Sequence, residues 1–99
     1  MRKTVCVFTT EENKGKELYE AFENSEAVKN VRAEEGCEKY DFYFSEKRPN
    51  EVVLLEDWAS KEALDAHAAG PYLPMVGEVQ KQFNAKLKLY VFDYVREKK

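Results

Sequence analysis

Two segments near the ends of this sequence are apolar on both sides of a strand, and that pattern restricts the fold more than any other feature. In Lys3–Thr9, Val5 and Val7 share one parity while Cys6 and Phe8 share the other. In Lys86–Val95, Leu87, Leu89, Val91 and Val95 alternate with Tyr90, Phe92 and Tyr94. Successive strand side chains point to opposite faces, so both faces of such a strand need cover from water. At 99 residues the chain makes one domain, residues 1–99, with a modest core.

The segments between supply that cover on one side. Thr10 or Asn13 can cap a helix, Glu11 and Glu12 suit its positive end, and Leu18, Tyr19, Ala21 and Phe22 gather on one side. Asn24-Ser25 marks a break, after which Val28 and Val31 continue the apolar contact. Gly36 ends the helical region, because glycine takes left-handed backbone angles at little cost. Cys37–Ser45 then alternates, with Tyr40, Phe42 and Phe44 on one side and Cys37, Asp41 and Tyr43 on the other. Lys47-Arg48-Pro49-Asn50 turns the chain, and Glu51–Trp58 returns with Val52, Leu54, Glu56 and Trp58 on one face. So short a link predicts an antiparallel hairpin. Ser60 caps a helix from Lys61, and Gly70-Pro71 interrupts it. A further helix from Pro71 carries Met75, Val76, Val79 and Phe83 as its apolar stripe.

The order β-α-β-β-α-β describes an α+β, ferredoxin-like antiparallel sheet with its helices on one face. The opposite face is apolar too and has no helices left to cover it. A second copy of the chain solves the mismatch. Burial of that face favours assembly by about 25 cal/mol per Å² before association costs, and an isologous homodimer is the simplest closed arrangement.

Composition removes several function classes. Sixteen basic against nineteen acidic residues give a net charge of −3, which is unlike a protein that reads a nucleic-acid backbone. Only seven residues, with Val5, Cys6, Val7 and Phe8 apolar, separate Met1-Arg2-Lys3 from Glu11-Glu12, too few for a signal segment or a membrane span; a cytoplasmic location is the expectation. Cys6 and Cys37 make no metal-type pair and sit inside apolar patterns, as buried free thiols would. No glycine-rich phosphate loop, nucleotide fingerprint or Ser-His-Asp set can be assembled.

Three spaced segments carry a family likeness: Glu35-Gly36-Cys37 leading to Tyr40, Glu56-Asp57-Trp58-x-Ser60, and Ala63-Leu64-x-x-His67. In this element order they resemble the antibiotic biosynthesis monooxygenase family over about Val5 to Val95. The resemblance implies a dimeric α/β barrel in which two sheets face each other and the last strand ties the subunits. It also implies a pocket in each subunit between sheet and helices. Its members' chemistries include cofactor-free oxygenation of aromatic quinols, haem degradation and isomerisation of a phosphorylated sugar. The haem-degrading pattern departs here at three positions: Val7 replaces an asparagine, His67 a tryptophan and Gly77 an axial histidine. The isomerase pattern shares His67 but has a second histidine where this chain has Tyr72.

His67 is the sole histidine, and imidazole is the side chain best suited to move a proton near neutral pH. Packed at the sheet–helix boundary, it could equally be a structural side chain. One histidine cannot build a strong metal site. Tyr72 can donate a hydrogen bond, although a phenol is a poorer proton shuttle at neutral pH. Trp58 can wall a pocket for a planar substrate or pack between sheet and helix. Tyr40 and Phe42, with Phe44, read as core or interface and secondarily as pocket lining. Glu56 breaks an apolar face, so its charge needs a partner: a basic residue across the dimer, or a role in acid–base chemistry. The resulting expectation is a cofactor-independent monooxygenase of a small aromatic phenol or quinol. It would need neither metal nor organic cofactor, with His67 and Tyr72 catalytic and Trp58, Tyr40, Phe42 and Glu56 binding substrate. The alternatives are a noncatalytic small-ligand-binding dimer and an isomerase of a small phosphorylated carbonyl compound.

Overall fold

A computed structural model of the chain describes residues 1–93 and 98. Eight elements follow in order: β1 (Arg2–Thr9), α1 (Gly15–Glu23), α2 (Glu26–Arg32), β2 (Cys37–Phe44), β3 (Glu51–Trp58), α3 (Lys61–Ala69), α4 (Tyr72–Gln82) and β4 (Lys86–Phe92). The four strands form one antiparallel sheet in the order β2-β3-β1-β4. Each expected helical region is indeed split in two, at Asn24-Ser25 and at Gly70-Pro71. Tyr94 and Val95, expected to extend the last strand, lie outside the described residues.

The strand register arranges the helix-covered face in rows. Phe44, Val52, Phe8 and Leu87 stand side by side across the four strands, then Phe42, Leu54, Cys6 and Leu89, then Tyr40, Glu56, Thr4 and Val91. The first three members of each row lie under helices, and α1 and α2 press Leu18, Phe22, Val28 and Val31, all fully buried, against them. Ser25 caps α2 and Ser60 caps α3, each accepting the backbone N–H three residues on, at 3.4 and 3.1 Å. The fourth members do not share this cover. Leu87, Leu89 and Val91 are exposed, so β4 stands open on its helix side as well as on the other.

Three local expectations need correction. Cys37 was expected on the face opposite Tyr40, but a β-bulge between Cys37 and Lys39 inserts one residue and pairs Cys37 with Trp58. One inserted residue reverses strand parity, so the thiol packs against the core. On α4, Met75 is 52% exposed; the stripe against the core is Tyr72, Val76, Val79 and Phe83, spaced four, three and four residues. Neither Thr10 nor Asn13 is the N-cap of α1, whose cap position is Lys14. Thr10 Oγ1 instead accepts from the Lys14 N–H at 3.1 Å, while Glu12 and Asn13 form a tight turn at positive φ.

Candidate functional site

The polar row of the sheet meets the C-terminal half of α3. Its histidine is the one fully buried residue of that helix. At 4% exposure the His67 ring lies stacked on the Trp58 indole, centroids 4.6 Å apart, with the Tyr40 ring edge-on at 5.9 Å. Trp58 Nε1 donates to Glu56 Oε1 at 2.9 Å, and the Cys6 thiol donates to the other Glu56 oxygen at 3.5 Å. Four of the residues singled out in the sequence, His67, Trp58, Tyr40 and Glu56, are therefore brought together. The other two are placed differently. Phe42 stacks on Phe22 at 4.3 Å as part of the core, and Tyr72 is half-buried at the start of α4, packed against the same core.

Glu56 requires a correction. It was expected to find a basic partner across a dimer or to take part in acid–base chemistry. Its parity puts it on the covered face, 5% exposed, where its partners are an indole N–H and a thiol. Burial pushes its carboxyl above the usual range, and the Trp58 hydrogen bond, the His67 ring and the Cys6 thiol offset this in part. The same burial, reinforced by Glu56, raises the Cys6 thiol and the Tyr40 phenol, so both act as neutral hydrogen-bonding groups. Cys37 is pushed up to about 11, by burial first and then by Glu56 and Glu34, which disfavours a thiolate nucleophile there.

Two residues of the site were not anticipated. Glu34, in the loop between α2 and β2, places Oε1 2.7 Å from His67 Nδ1. Thr4, opposite Glu56 in the register, is 3% exposed, and its hydroxyl has no hydrogen-bond partner among the described residues. The sequence does hold a trace of Glu34 in the pair Glu34-Glu35 before Gly36, but which glutamate turns inward depends on where α2 ends. The Glu34 N–H bonds to the Val31 carbonyl at 3.0 Å, and this final turn brings its side chain to α3. Thr4 offers no such trace, since threonine is ordinary in a strand.

Two clefts open nearby, about 330 Å³ beside Gly36 and Ala63 and about 230 Å³ beside Arg32 and Tyr40; His67 lines neither. Among the described residues no group of three metal-type side chains converges, and no helix is long and apolar enough to cross a membrane.

Against known proteins, the sequence profile described as antibiotic biosynthesis monooxygenase matches residues 1–74. The chain belongs to the antibiotic biosynthesis monooxygenase family. Rv0793 of Mycobacterium tuberculosis, provisionally named a monooxygenase, is 44% identical over 53 residues, or 50% of this chain. That match spans about half (52%) of Rv0793's own length. In the solved structure of Rv0793 the likeness extends over 97% of this chain and 96% of that one, with 27% identity and a TM-score of 0.76. A structure from Deinococcus radiodurans, provisionally assigned as an antibiotic biosynthesis monooxygenase, superposes with a TM-score of 0.83 and 18% identity, covering 100% and 97% of the two chains. SnoaB of Streptomyces nogalater, a cofactor-independent oxygenase solved as its N63A mutant, gives 0.80 and 14%, covering 97% and 94%. The last two likenesses are of fold.

Proposed function

We propose that this member of the antibiotic biosynthesis monooxygenase family is a cofactor-independent monooxygenase of a small aromatic phenol or quinol, working as a homodimer. The observation that carries the reading is the sole imidazole of the chain, desolvated on the helix side of the sheet among Trp58, Tyr40 and Glu34. SnoaB, a cofactor-independent oxygenase of the same fold, supports the class of chemistry.

In the proposed reaction His67 takes the phenolic proton, leaving an electron-rich phenolate. The phenolate carbon passes electrons to dioxygen and forms a C–O bond, and the imidazolium returns its proton to the distal peroxide oxygen. Loss of the ring hydrogen and cleavage of the O–O bond release water and leave a carbonyl, so that phenol and O₂ become quinone and H₂O. Dry surroundings strengthen the electrostatic hold on the phenolate, and the Trp58 and Tyr40 rings, packed on the imidazole, must give way for an aromatic ring to reach it. Glu56, Phe42 and Tyr72 complete the proposed substrate side, Glu56 through its carboxyl and the other two as support.

Oxygen uptake measured with a panel of hydroxylated naphthalenes and anthrones, without added flavin or metal, tests this reading. Turnover in the native protein should fall by about 10²-fold or more in His67→Ala. Saturable binding of the same compounds with no oxygen consumed would instead identify a ligand-binding dimer.

A further inference from the structure

The contact between Glu34 and His67 does more than bury a histidine. From the geometry we infer that Glu34 is a positioning residue: it holds His67 as the Nδ1–H tautomer, so that Nε2 is the nitrogen left to accept a proton. The inference rests on the proposed role of His67 as proton acceptor and adds which atom accepts and what selects it.

The argument begins with donor and acceptor inventory. A carboxylate only accepts, so a 2.7 Å contact to Nδ1 requires the ring's hydrogen on that nitrogen. In a neutral imidazole the other nitrogen then carries a lone pair. Unconstrained imidazole has no such fixed assignment, and a ring held in the wrong tautomer cannot accept from a substrate on its Nε2 side.

The surroundings leave the ring little freedom to escape this assignment. Stacking on Trp58 fixes its plane, and the Tyr40 ring closes one edge. The second carboxylate oxygen, Oε2, sits over Gly70 at the end of α3, 3.4 Å from where a Cβ would stand, an ordinary contact distance. Glu34 keeps 19% of its side chain exposed, and water can therefore solvate the charge without entering between it and the buried ring. Gly36 completes the arrangement: at φ +82° and without a side chain, it lets Ala63, one helical turn before His67, approach the loop that carries Glu34.

The presence of a single histidine makes the test direct. Nitrogen-15 NMR of the imidazole, recorded where the ring is neutral, gives one pair of signals and hence one tautomer. The native protein should show hydrogen on Nδ1. Glu34→Gln, whose amide oxygen can still accept, should keep that tautomer, whereas Glu34→Ala should lose it. With a turned-over substrate, Glu34→Ala should lower kcat by about tenfold or more while KM changes little, and Glu34→Gln should recover part of the loss. Hydrogen on Nε2 in the native protein, or an unchanged tautomer in folded Glu34→Ala, overturns the inference. Because the tautomer is read without substrate, an Nδ1–H result stands even if no phenol is ever oxidised, and that second failure would count against the oxygenase reading alone.

Discussion

At the scale of single residues, Glu56 makes stability depend on pH. Its folded-state pKa is raised by burial, so the folded protein holds a proton that the unfolded chain has already released. Below the ordinary carboxylate range, about pH 4, both states are protonated and the residue costs nothing. As pH rises from there through the folded pKa, the unfolded state is increasingly favoured, and above it the full cost of a buried charge applies. Glu56→Gln keeps an acceptor for the Trp58 indole and removes the charge. It should therefore melt at a higher temperature than the native protein at pH 8, with the difference shrinking as pH approaches 4; equal melting temperatures at pH 8 would contradict the burial argument. Residue type and spacing made His67, Trp58, Tyr40 and Glu56 legible as a group, because a charged residue on an apolar strand face and a lone histidine on a helix are visible in a string of letters. The partners of Glu56 were not legible. Which side of the sheet carries the helices decides whether that carboxyl meets an indole or another subunit, and strand alternation alone does not say which side that is.

The scale of the element shows where local pattern ends and packing begins. All four strands and the split helices can be read from alternation, caps and glycines, since each rests on backbone chemistry within a few residues. The bulge at Cys37–Lys39 and the outward turn of Met75 cannot, because both depend on what a neighbouring element offers. Gly36 belongs to both categories. Its position after a helix suggested a left-handed residue, which φ +82° confirms, but its close approach to α3 is purely tertiary. A Cβ at Gly36 would sit 2.5 Å from the Cβ of Ala63. Gly36→Ala therefore combines a left-handed backbone cost of about 1–2 kcal/mol with overpacking of about 1–3 kcal/mol. Denaturant unfolding should show a loss of at least about 2 kcal/mol. Gly77 makes the matched control, being inside α4 with nothing within 4 Å of an added Cβ. Gly77→Ala should gain about 0.5–1 kcal/mol. Similar effects at the two positions would mean that the approach of α3 to Gly36 is not the tight contact described.

For the whole molecule, the decisive feature is the sheet face that carries no helices. Val5 and Val7 of β1 and Val53 and Leu55 of β3 line its centre, with Tyr43, Tyr90 and Phe92 exposed around them. The central four are only half-buried, with no helix of the described residues above them. Charged residues edge it, Lys39 and Asp41 on β2 and Lys88 on β4, while Lys3 and Asp57 pair with each other across the two central strands and so neutralise their charges locally. A face of this kind gains free energy when it meets its own copy, as the proposed homodimer requires. Sedimentation velocity at micromolar concentration should then give a dimer. Leu55→Lys replaces apolar contact at the centre of the interface with an ammonium that must be desolvated even though its cross-strand neighbour Asp41 can pair with it, and should weaken dimerisation by roughly 100-fold or more. Leu73→Lys, on the solvent side of α4, introduces the same charge at an exposed position and should leave the assembly intact. A native protein that sediments as a monomer, or a Leu55→Lys variant as dimeric as Leu73→Lys, would mean that this face is solvated as it stands. The apolar alternation of the strands would then need another explanation than a second copy of the chain.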